Sequence, residues 1–322
     1  MSPDHRTTND ATNDWRPTAP VGVLRRRAEL VERTRAFFRS RGVLEVDTPV
    51  LQGGANFDHG VMPMRVALAG TTRYLPTSPE HPLKRLVAAG AGVVWTLAPA
   101  FRADERGQRH APEFRMLEWY RVGWDDRRLA QEVIALLHEL SGLGTEHEVL
   151  TWRSAFRSFA GIDPLTADDA TVFARLGADV AVAAGDRRVA LDLLLTRDVE
   201  PRLGQGRWTV LTDYPADQCA QARIRPGEDG TQVAARFELY RNGVELANGY
   251  HELLDGTALA ERLRQERDAR GTADHLDERF LAAMQAGLPD CAGVAVGFDR
   301  VVMLALGLPD ISATQAFGWN QA

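Results

Sequence analysis

FRADERGQRHAPEFRMLEWYR, residues 101–121, holds the end of one extended segment, a polar loop and the whole of a second extended segment. The apolar run Trp95–Arg102 ends in a charge, Ala103–Ala111 forms the loop, and Glu113–Arg121 alternates. An extended chain turns successive side chains to opposite faces. Phe114, Met116, Glu118 and Tyr120 therefore share one face, and Arg115, Leu117, Trp119 and Arg121 share the other. The first face offers a ring for stacking, a carboxylate and a phenol. Arg102 stands where the first strand runs out, and a planar guanidinium there can clamp a phosphate through paired hydrogen bonds. Arg106, Arg109 and His110 make the loop itself cationic.

The rest of the chain limits what such a strand pair can serve. Its 322 residues allow one large domain or two modest ones, with enough bulk for a sizeable core. Hydrophobic residues make up 44% and charged residues 25%, as in folded soluble proteins. A net charge of -6 supplies no global basic field to recruit nucleic acid. Cys219 and Cys291 form no Cys-x-x-Cys pair, which argues against a disulfide framework and against a zinc site. No run approaches the ~20 apolar residues of a membrane helix. The N-terminus, with Asp4, Asp10 and Asp14, is unlike a signal peptide, so a cytoplasmic location is expected.

Residues 1–21 are polar and proline-bearing and are expected to be loose. Leu24, Ala28, Val31 and Phe38 recur at helical spacing and predict a helix over Val23–Arg41, stopped by Gly42. Its arginines (Arg25, Arg26, Arg27, Arg33, Arg35, Arg39, Arg41) read as a solvated face. A strand over Val43–Thr48 runs into Pro49, and a short one over Arg73–Leu75 precedes Thr-Ser-Pro-Glu. There Ser78 suits an N-cap, Pro79 the first helical position, and Gly90 the stop. Asp125–Gly206 reads as helical packing without chemistry. Trp208–Thr212 reads as a strand and Tyr214–Ala222 as the loop beyond it. In FELYRNGVELANG, residues 237–249, Asn242-Gly243 predicts a two-residue turn with positive φ at both positions. Arg241 then pairs with Val244 and Tyr240 with Glu245, and the carboxylates of Glu238 and Glu245 become diagonal neighbours roughly 7–8 Å apart. Gly293–Arg300, GVAVGFDR, leads into a helix over Val301–Leu306 that stops at Gly307.

These stretches resemble the class II aminoacyl-tRNA synthetases. Residues 101–121 are similar to motif 2, closest to the lysyl branch. The first helix with Arg-Gly-Val-Leu-Glu-Val resembles motif 1, and Gly293–Arg300 resembles motif 3. The resemblance implies an α+β catalytic domain over residues 22–322, an antiparallel sheet flanked by helices, and dimerisation through the first helix and strand. It implies ATP held by Arg102, Ala103, Asp104, Ala111, Phe114, Glu245, Leu246, Gly297 and Arg300, with adenine between Phe114 and Arg300. Ala103 and Asp104 stand where family members show Asn or Gly and Glu, and Ala111 replaces the usual asparagine. Glu238 and Glu245 would share Mg²⁺, which takes few protein carboxylates plus phosphate oxygens. Ser78, Pro79 and Glu80 would line the amino-acid pocket, with Glu80 on the amino group. Tyr120, Asn248 and Glu252 would complete it, Glu252 and Tyr120 gripping a distal ammonium. The catalytic pair would be Arg102 and Arg300.

An anticodon-binding domain needs on the order of a hundred residues, and about twenty precede this helix, so a catalytic domain alone is expected. Together with Met-Leu-Glu-Trp-Tyr-Arg and Leu-Pro-Asp-Cys-Ala-Gly-Val-Ala, this resembles the elongation factor P lysyl-lysine (β-lysine) ligase family, synthetase paralogues that modify a protein lysine. The implied reaction makes an acyl-adenylate of β-lysine or lysine and transfers it to elongation factor P, with tRNA not an expected partner. Ala295 stands where synthetases place glycine, and its methyl would disfavour α-lysine. The alternatives are a truncated lysyl-tRNA synthetase and a catalytically silent paralogue acting as a binding module; joint retention of Arg102, Glu238, Glu245 and Arg300 counts against silence.

Overall fold

The computed structural model describes residues 15–57 and 60–322. The elements run α1 (Val21–Ser40), β1 (Leu44–Glu45), β2 (Met64–Leu68), β3 (Thr71–Leu75), α2 (Glu80–Ala88), β4 (Val94–Phe101), β5 (Glu113–Val122) and α3 (Asp126–Ser141). Next come β6 (His147–Thr151), α4 (Trp152–Ala155), α5 (Asp169–Leu176), α6 (Val180–Ala183), α7 (Arg187–Leu194) and β7 (Trp208–Pro215). The chain closes with β8 (Ile224–Pro226), β9 (Gln232–Arg241), β10 (Val244–His251), α8 (Gly256–Ala269), α9 (Glu278–Ala286), β11 (Cys291–Gly297) and α10 (Phe298–Leu306). The loose segment expected over residues 1–21 lies outside the described residues through residue 14.

A nine-stranded sheet in the order β1-β4-β5-β11-β10-β9-β7-β6, with β8 on β9, carries the molecule. It is mixed rather than wholly antiparallel, because β1 joins β4 and β6 joins β7 in parallel. One face of β5 buries Leu117 and Trp119 in a core shared with Phe38, Trp95, Leu136 and Val301. The other face, Phe114 to Tyr120, looks into a cavity. That is the split the period of two predicts. A second core fills the region of α4 to α7 around Trp152, Phe156 and Leu194, and a third joins α2, α8 and α9 around Leu83, Leu259 and Phe280.

Local chemistry sets the ends of the elements. Asp125, Asp168, Asp186, Asp255 and Asp277 each precede a helix and accept backbone N–H groups of its first turn, satisfying donors that would otherwise be orphaned. Asn242 and Gly243 turn the β9–β10 hairpin at φ 51° and 67°, and Arg241 faces Val244 and Tyr240 faces Glu245 as expected. Beyond Glu245 the register slips by a bulge, which brings Asn248 directly opposite Glu238. The strand expected over Val43–Thr48 shrinks to two residues beside β4. The region read as wholly helical contains β6, an edge strand of the sheet with no fully buried residue, its exposed face carrying His147 and Val149 and its half-buried face Glu148 and Leu150, so its polar and apolar residues do not alternate. β7 runs on through Tyr214 past a bulge at Asp213, whose φ of 54° is held by Arg225 on its carboxylate.

Candidate active site

A cavity of about 780 Å³ lies over β5, β9, β10 and β11. Its floor is the Phe114, Met116, Glu118 and Tyr120 face; α2, α7, α8 and the loop after β4 supply walls. Arg102, Ala111, Phe114, Glu245, Leu246, Gly297 and Arg300 line it, as do Ser78, Glu80, Tyr120, Glu238, Asn248 and Glu252. Three expected residues are not brought to the wall. Asp104 is exposed, Ala103 spends its N–H on Met62 O at 3.1 Å, and Pro79 serves as the helix start of α2. Glu105, the neighbour of Asp104, lines the cavity and pairs with Arg102 Nη1 at 2.9 Å. Ser78 is not the N-cap either: its hydroxyl donates to Glu118 Oε2 at 2.5 Å while accepting from Glu80 N at 3.0 Å.

At one end the groups are cationic. The Arg102 guanidinium lies 5.2 Å from the Phe114 ring centroid. Arg300 donates from Nη1 to Glu245 O at 3.0 Å and from Nε to Arg109 O at 3.1 Å. Arg109 in turn donates to Gly243 O at 2.9 Å, tying the loop after β4 to the hairpin turn. Beside Arg300, the buried carboxylate of Asp299 accepts from Arg115 N and from Arg27, both at 2.8 Å. Arg27 is therefore a structural cation, not part of a solvated face.

Midway lie two acids, Glu238 and Glu245, with Glu200 behind them. Glu238 accepts from Arg236 Nη2 and from the Tyr240 hydroxyl, each at 2.6 Å. Burial pushes the Glu245 carboxyl upward and Glu238 adds to it, against Arg300, Arg102 and Arg236. Glu200, between α7 and β7, is pushed up to about 7 by burial and then by Glu238 and Glu245. Its position, with Arg188, Asp192 and Leu195 on the cavity wall, corrects the reading of residues 125–206 as packing alone. No sequence pattern marks Glu200, because a long excursion through α4 to α7 returns it to the hairpin.

At the far end, Lys84 projects from α2 one turn beyond Glu80. Its ammonium lies 2.6 Å from Glu80 Oε1, 2.6 Å from Glu252 Oε2 and 3.0 Å from Gln221 Oε1. Tyr120 donates to Glu118 Oε1 at 2.9 Å. Sequence reasoning missed Lys84 and Gln221 and assigned Glu118 no role. The Glu80–Lys84 spacing was visible as an i,i+4 pair, but such pairs are ordinarily solvated. Ala295 lies across from Glu118 in the β5–β11 ladder and lines the cavity.

Residues 7–321 match the family model described as tRNA synthetases class II (D, K and N). A Klebsiella pneumoniae protein named elongation factor P--(R)-beta-lysine ligase is 44% identical over 327 residues, covering 97% of this chain and 99% of that protein. Proteins of the same name from Vibrio vulnificus and Vibrio cholerae are 42% and 40% identical, covering 94% and 96% of this chain and 98% and 99% of their own. With its sheet, its strand pair at residues 94–122 and near full-length similarity to those ligases, the chain belongs to the class II tRNA synthetases of the D, K and N group.

Proposed function

We propose that this protein is an ATP-dependent ligase that activates (R)-β-lysine, or lysine, as an acyl-adenylate and passes the acyl group to a lysine side chain of elongation factor P. The observation that carries the reading is a single cavity joining two arginines, Arg102 and Arg300, to a buried nest of carboxylates, Glu80, Glu118 and Glu252. An amino-acid carboxylate placed between them attacks the α-phosphorus of ATP, the new P–O bond forms, and pyrophosphate leaves. The acceptor amine then attacks the acyl carbon, an amide forms, a proton is lost and AMP departs. Neither step needs a protein nucleophile. The residues act by holding the reactants in line and offsetting charge on the phosphates.

Phe114 and Arg300 are the faces available to adenine, and Arg102, released from Glu105, is the clamp for the α-phosphate. Glu238 and Glu245 suit Mg²⁺ because both carboxylates line the cavity that holds Arg102 and Arg300, and burial and Glu238 push the Glu245 carboxyl upward. Among the described residues no group of three or more His, Cys, Asp or Glu side chains is arranged to hold a metal alone, which fits an ion that borrows nucleotide oxygens. Bound there, Mg²⁺ would neutralise phosphate charge. The reading extends to a single catalytic domain over residues 22–322, a homodimer through α1 and β1, and a cytoplasmic location; among the described residues no helix is long and apolar enough to cross a membrane.

The deciding experiment supplies labelled β-lysine or lysine, ATP and the protein, with elongation factor P in one arm and total tRNA in the other. Pyrophosphate exchange dependent on the amino acid and label on a lysine of elongation factor P are expected. Label on tRNA alone would show a truncated synthetase, and no exchange a silent paralogue.

A further inference from the structure

The excursion through α4 to α7 ends against the β9–β10 hairpin and delivers one acidic side chain there. Leu203 O and Gly204 O accept from Gly243 N and Asn242 N, both at 2.9 Å. The approach is close from either side. A β-carbon at Gly204 would fall 2.6 Å from the carbonyl oxygen of Tyr240, and one at Gly243 would fall 3.0 Å from Pro201 Cα and 3.2 Å from Glu200 O. Residues 200–204 are thus clasped to the turn by their backbone, which fixes Glu200 beside the strand that carries Glu238.

The group that Glu200 reaches is a phenol. The Tyr240 hydroxyl lies 2.6 Å from Glu238 Oε2 and 3.3 Å from Glu200 Oε1. A phenol has one proton to donate, and the shorter contact, with the length of a charge-assisted bond, takes it. Glu200 then faces the oxygen's lone pairs and completes the set as a donor, in its protonated form. Burial pushes its carboxyl up, which favours that form. The chain runs from Glu200 to the Tyr240 oxygen and from the Tyr240 hydroxyl to Glu238. On its other oxygen Glu238 accepts from Arg236 Nη2 at 2.6 Å, and Arg236 is held in turn by Gln218 O at 2.9 Å and Asn248 Oδ1 at 3.2 Å. Two arms therefore set the rotation of the Glu238 carboxylate. One begins on β9 itself and the other in the excursion.

We propose that Glu200 is a positioning residue: by donating to the Tyr240 hydroxyl it fixes the Glu238 carboxylate in the orientation that serves a cation in the cavity. Glu200 and Tyr240 are not on the cavity wall, and the Glu200 carboxyl is turned to the phenol, which separates this role from that of a ligand. Groups behind a ligand hold it in place before the cation arrives and so raise affinity without touching the ion. The inference rests on Glu238 and Glu245 being the pair that receives Mg²⁺ together with nucleotide oxygens.

The test titrates Mg²⁺ calorimetrically into the whole protein saturated with α,β-methylene ATP, which cannot release pyrophosphate, so that binding is read rather than turnover. Tyr240→Phe removes the relay and should weaken Mg²⁺ about ten- to a hundredfold, and Glu200→Ala should weaken it about tenfold. Glu200→Gln, whose amide still donates, should stay within about twofold of the native chain. In a Tyr240→Phe background Glu200→Ala should add less than about twofold, since residues in one hydrogen-bond chain are not additive. Thermal midpoints taken alongside separate positioning from packing, because a packing role moves the midpoint and leaves Mg²⁺ affinity where it was. Unchanged affinity in Glu200→Ala, an equal loss in Glu200→Gln, or full additivity with Tyr240→Phe would each overturn the inference and leave the metal pair standing. A native chain that takes up no Mg²⁺ with the nucleotide would remove the metal pair itself and the inference with it. The comparison of Ala with Gln at position 200 holds even where Tyr240→Phe does not fold.

Discussion

Glu252 and Glu245 show how one residue type serves two ends of a cavity through different neighbours. Glu252 has lost nearly all contact with water and leans on Lys84, so its neutral isostere leaves that ammonium with Glu80 as its counter-ion and withdraws a charge from the donor. Glu252→Gln should raise the donor KM by about ten- to a hundredfold while the ATP KM changes little, the loss expected for a hydrogen bond between charged groups. An equal rise for both ligands would mark a purely structural role. Glu245 holds its proton more tightly in the fold than in the unfolded chain, because burial and Glu238 oppose its charge. Stability therefore falls as pH rises past the ordinary carboxylate range and this half-buried group ionises. Glu245→Gln should nearly abolish pyrophosphate exchange while leaving the thermal midpoint near neutral pH unchanged or higher; an active variant would remove the carboxylate pair from the reaction. At Ala295, loss of the methyl opens space beside Glu118, and Ala295→Gly should shift preference from β-lysine toward α-lysine. Exchange rates with the two donors measure that shift, and an unchanged ratio would refute it.

The β5 strand is held in register by chemistry on the face away from the site. Glu132 of α3 accepts from Trp119 Nε1 at 3.0 Å and from Arg121 Nε at 2.8 Å, with Arg121 Nη2 closing the pair. All three are buried. Removing the acid leaves a guanidinium without its partner in the interior, so Glu132→Ala should destabilise the fold by about 3–5 kcal/mol, read from denaturant midpoints. A loss below about 1 kcal/mol would show that water replaces the carboxylate. The hairpin of β9 and β10 depends on an equally local device. Gly204, at φ 70°, packs so closely that a β-carbon would fall 2.5 Å from Arg241 Cα, and its carbonyl accepts from Asn242 N at 2.9 Å. This contact seats the turn that places Glu245, and it couples the excursion through α4 to α7 to the site.

Across the whole molecule, the surface a protein acceptor would meet under the proposed reading is the mouth of the cavity and the loop after β4. Arg106 stacks on Trp319, 5.0 Å from its ring centroid, and Ile311 N donates to Gln108 O at 2.8 Å, so the loop rests on the C-terminal segment. Arg109 is committed to Gly243, which leaves Arg106 the better probe of the acceptor. Arg106→Glu should slow acyl transfer to elongation factor P several-fold at low salt, with pyrophosphate exchange little altered. Charge complementarity governs encounter more than the chemistry of an already bound donor. Equal slowing of both steps would show that the change merely loosens the loop.

The architecture was legible because its signals are local. Alternation over Glu113–Arg121, Asn242-Gly243 and the glycine stops at Gly42 and Gly307 depend on backbone sterics and period, and each stands where residue order alone placed it. The positions of Arg102, Phe114, Tyr120 and Arg300 on one cavity follow from the same periods once the strands pair. The mixed sheet, the bulge that sets Asn248 opposite Glu238, Glu200 beside the hairpin and Lys84 between Glu80 and Glu252 were decided only in three dimensions. Each joins residues far apart in the chain, or turns a side chain expected in water into a dry interior. Burial then determines what the group is: at the surface Lys84 and Glu80 would be a weak i,i+4 pair, whereas inside they set the charge of the pocket.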